Sequence, residues 1–393
     1  MKTNIWQPPQ LRAGAHTGEE ERHATWFELF YDLIFVVVVA QLADFLKHHL
    51  SMTGFAQYIF LFIPVWWSWV GATFYATRFD TDDMGHRMLT ILQMFAVMAM
   101  AISASNGFGK SSVAFALSYV AVRMVLMVQY LRAMYYVKDA GVLIKGYMLG
   151  FSIAAAIWFV SVFVPVPYRF ILWGIAIIVD YATPLILGKV QVEFPPHLMH
   201  LPERFGLFII IVLGESISGV VRGIYNLSWT PASLATAIAG LSIVISLWLM
   251  YFENPDSTDM WDKLEERLFH TYNLWIYSHL PLAIFITASA VGVELIISSS
   301  ANPTLNPTLS DSIRWVFCGS VICCLLTLWT VRFASTTIVS KTKRDPDILR
   351  LITALTILIL AFAGKQLSHL TIIAIVAVMC VVVVAVDLYK QSS

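Results

Sequence analysis

Residues 26–45 read WFELFYDLIFVVVVAQLADF, a run of apolar and aromatic side chains into which Glu28, Asp32 and Asp44 are set. About 20 predominantly apolar residues cross the ~30 Å hydrocarbon core of a bilayer as an α-helix rising ~1.5 Å per residue. The rest of the chain repeats this pattern. Of 393 residues, 58% are hydrophobic and 13% are charged, and the mean hydropathy is +0.73. A soluble domain carries roughly 25% charged residues, so this chain lacks the charge to coat a water-facing surface. The fold class it predicts is an all-α polytopic integral membrane protein, with the lipid bilayer as its first partner.

Apolar windows predict about twelve transmembrane helices, at 27–46, 55–77, 88–108, 113–136, 142–164, 168–187, 203–223, 231–252, 268–298, 313–333, 347–364 and 367–389. Polar or Pro/Gly breaks separate them, the narrowest being the turn at Lys365. Residues 1–25 form a polar segment without the basic-then-apolar layout of a cleaved signal, so the first span is expected to direct insertion itself. The 25 Lys+Arg balance the 25 Asp+Glu, which excludes a global basic field for nucleic acid. Within that zero lies an asymmetry. With the N-terminus inside, eighteen basic residues fall in cytoplasmic segments, against Lys47, Lys110, Arg169, Arg222, Arg314 and Lys365 outside. This positive-inside bias predicts that both termini are cytoplasmic.

The chain also echoes itself. A shift of 176 residues lays Tyr75, Asp80, Thr81, Asp83 and Met84 on Tyr251, Asp256, Ser257, Asp259 and Met260. With a slip of one residue, Glu28-Leu29-Phe30 falls on Glu203-Arg204-Phe205. The expected organisation is two parallel six-helix repeats, 26–190 and 200–389, in the same orientation because six is even. Within the second repeat, His200-Leu201-Pro202 and His279-Leu280-Pro281 each precede a glutamate, Glu215 or Glu294, at the same interval. All four cysteines lie in apolar stretches without metal-ligand spacing and are read as packing thiols. The tryptophans, Trp66, Trp67 and Trp69 among them, are read as interfacial anchors and lipid-facing bulk.

Function is sought in the charges that topology does not explain, since an ionisable side chain mid-span costs at least about 2.5–3.5 kcal/mol and needs a partner or a task. Glu28 and Asp32 share a helix face four residues apart, an arrangement suited to a proton or cation site; as a purely structural pair they favour the helix N-terminus. Glu215 lies eleven residues past Arg204, roughly 16 Å along its helix, and Gly206, Gly214 and Gly219 thin that helix for close packing. Arg123 and Asp180 sit mid-span, and Arg123 requires an anion, either Asp180 or Glu215. The ninth span is overlong at roughly 46 Å, and Pro281 removes a backbone hydrogen bond to Tyr277, so a break is expected near His279. Broken helices are where secondary transporters hold coupling ions, and His279 is a candidate proton relay. Glu294, near the outer end of the same span, is expected to reach the interface. The acidic loop RFDTDDMGHR (78–87) is read as a hairpin salt-bridged by its flanking arginines rather than a metal site. No P-loop, GxSxG or HExxH pattern occurs, so neither an ATP drive nor an enzyme is expected, and no metal or cofactor is called for.

WFELFYDLIFVVVVAQLADF (26–45), RFDTDDMGHRML (78–89), HLPERFGLFIIIVLGESI (200–217) and HLP followed by GVEL (279–295) together resemble the bacterial low temperature requirement A family. The resemblance spans roughly residues 20–389; from about 300 to 350 it supplies no block. It implies a multipass protein of the bacterial cytoplasmic membrane and a link to growth in the cold, but no substrate. Position by position it singles out Glu28, Asp32, Asp80, Asp82, Asp83, Glu203, Arg204, Glu215, His279 and Glu294. The leading expectation is a proton- or cation-coupled secondary transporter of a small solute or ion, acting alone or as a homo-oligomer, with Asp32, Glu215 and His279 as relay. A passive ion channel of the same duplicated architecture, or a non-transporting scaffold for cold adaptation, are the alternatives.

Overall fold

The computed structural model describes residues 5–12, 25–197, 200–225, 230–253, 269–300, 308–339 and 348–392. Its helices are α1 (Trp26–His48), α2 (Met52–Arg78), α3 (Met84–Ala104), α4 (Ser112–Tyr136), α5 (Gly141–Ser161), α6 (Tyr168–Ile186), the short α7 (Gly188–Glu193), α8 (His200–Tyr225), α9 (Pro231–Phe252), α10 (Phe269–Ser299), α11 (Asp311–Val339), α12 (Ile348–Ala363) and α13 (His369–Ser392). Among the described residues, twelve of these are long and apolar enough to cross a membrane. Observed and expected limits agree within a few residues. The narrow turn at Lys365 is a single 3-10 turn, Gly364–Gln366. Helix α3 begins four residues earlier than hydropathy indicates, because Asp83 caps it by accepting from the His86 N–H. The repeat of the acidic loop at Asp256–Met260 lies outside the described residues.

The chain gathers into two compact units. One comprises Met1–Leu42, Ile59–Leu207 and Trp261–Phe269; the other comprises Ala43–Tyr58, Phe208–Met260 and His270–Ser393. The division passes through α1, α2 and α8.

In the first unit α3, α4, α5 and α6 pack consecutively as antiparallel neighbours. The α5–α6 approach is close because Gly150 offers no Cβ; one built there would lie 2.0 Å from Thr183 Oγ1. Tyr75, Tyr130, Tyr147 and Phe151 form an aromatic core with Leu126 and Leu143. Trp66, Trp67 and Trp69 are buried in this unit rather than facing lipid or interface, a correction to the reading of tryptophan as anchor. A two-residue strand, β1 (Gln10–Leu11), pairs antiparallel with β2 (Phe79–Asp80) and ties the N-terminal segment to the α2–α3 connection.

In the second unit α9 packs on α13, α13 on α12 and α12 on α11. Helix α10 is the most enclosed span, with 78% of its apolar window buried. It does not break at Pro281: the 31-residue helix is continuous. Ser278 Oγ and the His279 ring bond the carbonyls of Leu274 and Trp275 one turn back, and packing on all sides holds the turn that the proline deprives of a donor. Outward-facing side chains such as Ile102, Phe163, Ile178, Phe362 and Val378 are exposed and apolar, as a hydrocarbon solvent requires.

Candidate functional site

Among the described residues the buried carboxylates are matched to guanidinium groups. In the first unit Asp32 Oδ1 accepts from Arg204 Nη2 at 2.7 Å and from Trp69 Nε1 at 2.8 Å. Both ion-pair side chains are 1% exposed. Glu28, one turn earlier, shares the same arginine, with Oε1 3.6 Å from Arg204 Nη1. It also lies 3.8 Å from Arg12 Nη2 and 3.6 Å from His200 Nε2. The Thr25 N–H donates to Glu28 Oε2, and the Glu28 N–H to Thr25 Oγ1, a reciprocal cap that starts α1. Arg12 arrives from the β1 clasp and lies 3.7 Å from Asp80 as well. Glu203, in the first turn of α8, is half-buried where the helix N-terminus favours a carboxylate.

Beside the Glu28–Arg204 contact lies a cavity of about 30 Å³ between α1, α2, α3, α4 and α8, with Tyr31, Tyr75, His86 and Gln93 among its walls. That is room for about two waters.

The acidic loop divides its three carboxylates among three arginines. Asp82 accepts from Arg87 at 2.9 and 3.0 Å near the surface, and Asp80 meets Arg12. Asp83 is fully buried: it caps α3, accepts from the Gln7 N–H at 2.9 Å and takes a two-pronged contact from Arg132 of α4. Of the two flanking arginines, Arg87 pairs with Asp82 and Arg78 donates to Phe194 O. Burial alone would raise the Asp83 carboxyl, but the Arg132, Gln7 and His86 hydrogen bonds outweigh it and hold the pKa down to about 2.

Arg123 finds Asp180, not Glu215, at 3.2 Å, with side chains 0% and 1% exposed. Tyr119, which the sequence reading missed, joins them: its hydroxyl donates to Asp180 Oδ2 at 2.5 Å and accepts from Arg123 Nη2 at 2.6 Å. A phenol one helical turn from a buried arginine was the available signal.

In the second unit Glu215 Oε1 accepts from Arg222 Nη2 at 2.6 Å. Arg222 Nε donates to Glu294 Oε2 at 3.0 Å, and Lys47 Nζ to Glu294 Oε1. Glu294 is therefore buried and doubly paired rather than at the interface. Lys47 and Arg222, outer-segment charges in the positive-inside reading, end α1 and α8 and reach Glu294 within their own unit. Of the glycines expected to thin α8, Gly219 faces Ala290 O of α10 while Gly214 faces open space; Gly223 makes the closest approach, its Cβ position 2.9 Å from Ile297 Cβ.

His279 stands apart from this group. Its Nδ1 lies 2.7 Å from Trp275 O and its Nε2 2.9 Å from Tyr251 OH. A carbonyl only accepts, so Nδ1 carries the proton and the tyrosine donates to Nε2. Fifteen residues of helix, about 22 Å, separate it from Glu294, so a contiguous Glu215–His279 relay is not formed within the unit.

Fold and site together define a polytopic α-helical membrane protein in which two arginines, Arg204 and Arg222, are each shared by two carboxylates. The chain belongs to the bacterial low temperature requirement A protein (LtrA) family, whose profile matches residues 23–386. It is similar to an uncharacterised protein of Rhizobium meliloti, with 26% identity over 331 residues, 80% of this chain and 79% of that one. No solved structure matches it.

Proposed function

We propose that the protein is a proton-coupled secondary transporter of the bacterial cytoplasmic membrane, working without a catalytic residue or resident cofactor. The observation that carries this reading is the sharing of Arg204 by Glu28 and Asp32. When two carboxylates face one guanidinium, one can take a proton while the arginine keeps an anionic partner, so protonation need not strand a buried charge. The same two-to-one arrangement recurs where Glu215 and Glu294 share Arg222. A bare cation is the less favoured coupling ion, because each of these carboxylates already holds an arginine or lysine. In this reading the two six-helix repeats move against each other and the shared arginines change carboxylate partner. The Arg123–Tyr119–Asp180 group, with one carboxylate per arginine, is a brace that stays closed.

Full-length protein in proteoliposomes with an internal pH dye tests this. An imposed pH gradient with solute mixtures supplied is expected to drive proton flux that falls at least about tenfold in Glu28→Gln and Asp32→Asn, with both variants monodisperse. Unaltered flux in both, or current that rises without saturation, would reject it in favour of a scaffold or a channel respectively.

A further inference from the structure

Asp32 uses its two carboxylate oxygens unequally. Oδ1 takes both donors that reach the side chain, Arg204 Nη2 at 2.7 Å and Trp69 Nε1 at 2.8 Å. Oδ2 is sealed from water and has no hydrogen-bond partner among the described residues. An anionic oxygen kept dry and without a donor is costly. No water, metal ion or solute fits against a sealed atom, whereas a proton does. A carboxylic acid matches this division: one oxygen carries the proton, and the carbonyl oxygen keeps two lone pairs, one for each of two donors. A proton on Oδ2 therefore leaves both Oδ1 hydrogen bonds in place. The neutral hydroxyl still lacks an acceptor, but an unpaired hydroxyl costs less than an unpaired charge. Trp69 decides which oxygen is which. Its buried indole comes from α2 and packs edge-on against Phe205 of α8, with ring centroids 5.0 Å apart. An indole N–H only donates, so the oxygen it meets is held as an acceptor.

The groups around Asp32 allow its neutral form. Helix α8 presents Arg204, α1 presents Glu28 one turn earlier and the Tyr31 phenol beside it, and α2 presents Trp69. Arg123 of α4 acts on the same phenol. When Asp32 is neutral, Arg204 still faces Glu28, so no buried guanidinium is stranded. The other buried carboxylates among the described residues lack one half of this arrangement. Glu28 Oε2 accepts from the Thr25 N–H and hydroxyl, and its Oε1 lies near Arg204 and Arg12. Asp83 and Glu294 have donors on both oxygens, and Glu215 shows no sealed, unbonded oxygen. Asp180 Oδ1 is as bare as Asp32 Oδ2. Arg123, however, has Asp180 as its one carboxylate among the described residues, and a proton there would leave that arginine uncompensated.

We propose that Asp32 Oδ2 is the atom that carries the coupling proton, with Glu28 holding Arg204 while Asp32 is neutral, and that Trp69 is the positioning residue that reserves Oδ1 for its donors. The proton comes from water, the Oδ2–H bond forms, and Arg204 stays charged throughout. The assignment rests on the transporter reading for the movement of that proton; where it sits is separable from whether it crosses.

Infrared difference spectroscopy of the full chain in lipid nanodiscs, recorded on acidification, tests the proposal. Subtracting the Asp32→Asn spectrum from that of the wild type cancels the carboxyls common to both. The remainder should hold a carboxylic-acid carbonyl band. That band should move to lower frequency when aspartate, and not when glutamate, carries heavy carbon in its side-chain carboxyl. Trp69→Phe keeps every charge and removes one donor from that carbonyl, so the band should persist at higher frequency, a shift that a merely structural indole would not cause. Should Asp32→Asn fail to fold, the wild type compared with Trp69→Phe reads the same labelled band. A band that follows labelled glutamate, no acid band in either comparison, or a band unmoved by Trp69→Phe would overturn the proposal. A glutamate band with proton flux intact removes Asp32 and leaves the transporter reading standing. An aspartate band in a protein that moves no proton does the reverse.

Discussion

Replacing Asp180 by asparagine removes one charge and almost no volume, and so isolates what the Arg123 guanidinium needs. The pair is 3.2 Å apart and sealed from solvent. At an effective dielectric of ~20 the attraction at that distance is about 5 kcal/mol. Its loss leaves Arg123 buried and uncompensated, which in other proteins costs about 3–5 kcal/mol. Asparagine can still accept from Tyr119, so the hydroxyl contact survives and the cost is mainly that of charge. Asp180→Asn is therefore expected to lose about 3–5 kcal/mol of unfolding free energy, measured by steric trapping in bicelles. Tyr119→Phe, which removes only the bridging hydroxyl, should lose about 1–3 kcal/mol. The triple variant Tyr119→Phe, Arg123→Met, Asp180→Leu should recover to within about 1–2 kcal/mol of the wild type, since an apolar trio of similar volume carries no desolvation penalty. The reasoning fails if Asp180→Asn is as stable as the wild type, or if the triple variant is no better than the single one.

Asp83 should register in acid. Its pKa is about 2 when folded and about 3.9 when unfolded, so its contribution is full above pH ~4 and lost as pH falls toward 2. Asp83→Asn should cost about 2 kcal/mol at pH 7 and flatten that acid limb of the melting temperature; an Asn variant matching the wild type at pH 7 would contradict this. Gly223→Val places a side chain 2.9 Å from Ile297 Cβ and should destabilise by about 1–3 kcal/mol. Gly214→Ala, with no heavy atom within 4 Å of its Cβ among the described residues, should gain about 0.5–1 kcal/mol from helix propensity, and the same unfolding assay ranks the two. Loss of a proton-transfer group typically costs ~100-fold or more, yet His279→Gln should leave vesicle proton flux within about twofold, because that ring is held between Tyr251 and Trp275. A collapse of flux would put His279 back on the pathway.

Hydropathy alone located the twelve spans, because desolvation of a 20-residue segment depends on composition and not on neighbours. It also marked Asp32, Glu215, Arg123 and Asp180 as charges needing a partner. The identity of the partner was less legible. Arg123 had two equal suitors, and only the rotation of α4 and α6 about their axes chooses Asp180. Arg222 and Lys47 read as loop charges because a long basic side chain at a helix end usually turns outward to water; here each stays partly exposed and still pairs with the buried Glu294. Pro281 misled for a related reason. A proline breaks an isolated helix, but α10 is clasped on nearly every face, and the local rule yields to packing. Trp69 was hidden by its company: among apolar neighbours an indole reads as bulk, and its N–H acquires meaning only once Asp32 is known to face it.

The clasp of the N-terminal segment has a consequence for biosynthesis. Arg132 Nη2 donates to Gln7 O across 125 residues of chain, and the Arg132 guanidinium lies over the Trp6 ring, 4.3 Å from its centroid. At roughly 5–20 residues per second, a ribosome takes about 6–25 s to make that interval. Ile5–Arg12 thus leaves the ribosome well before α4 and docks on Arg132 only after α4 has been delivered to the bilayer. Arg12 reaches Glu28 by the same segment and Arg204 reaches it from α8, so the charge around Glu28 is completed only once α8 is in place. A bulky tag fused close before Trp6 would burden that last step while leaving insertion of every span untouched.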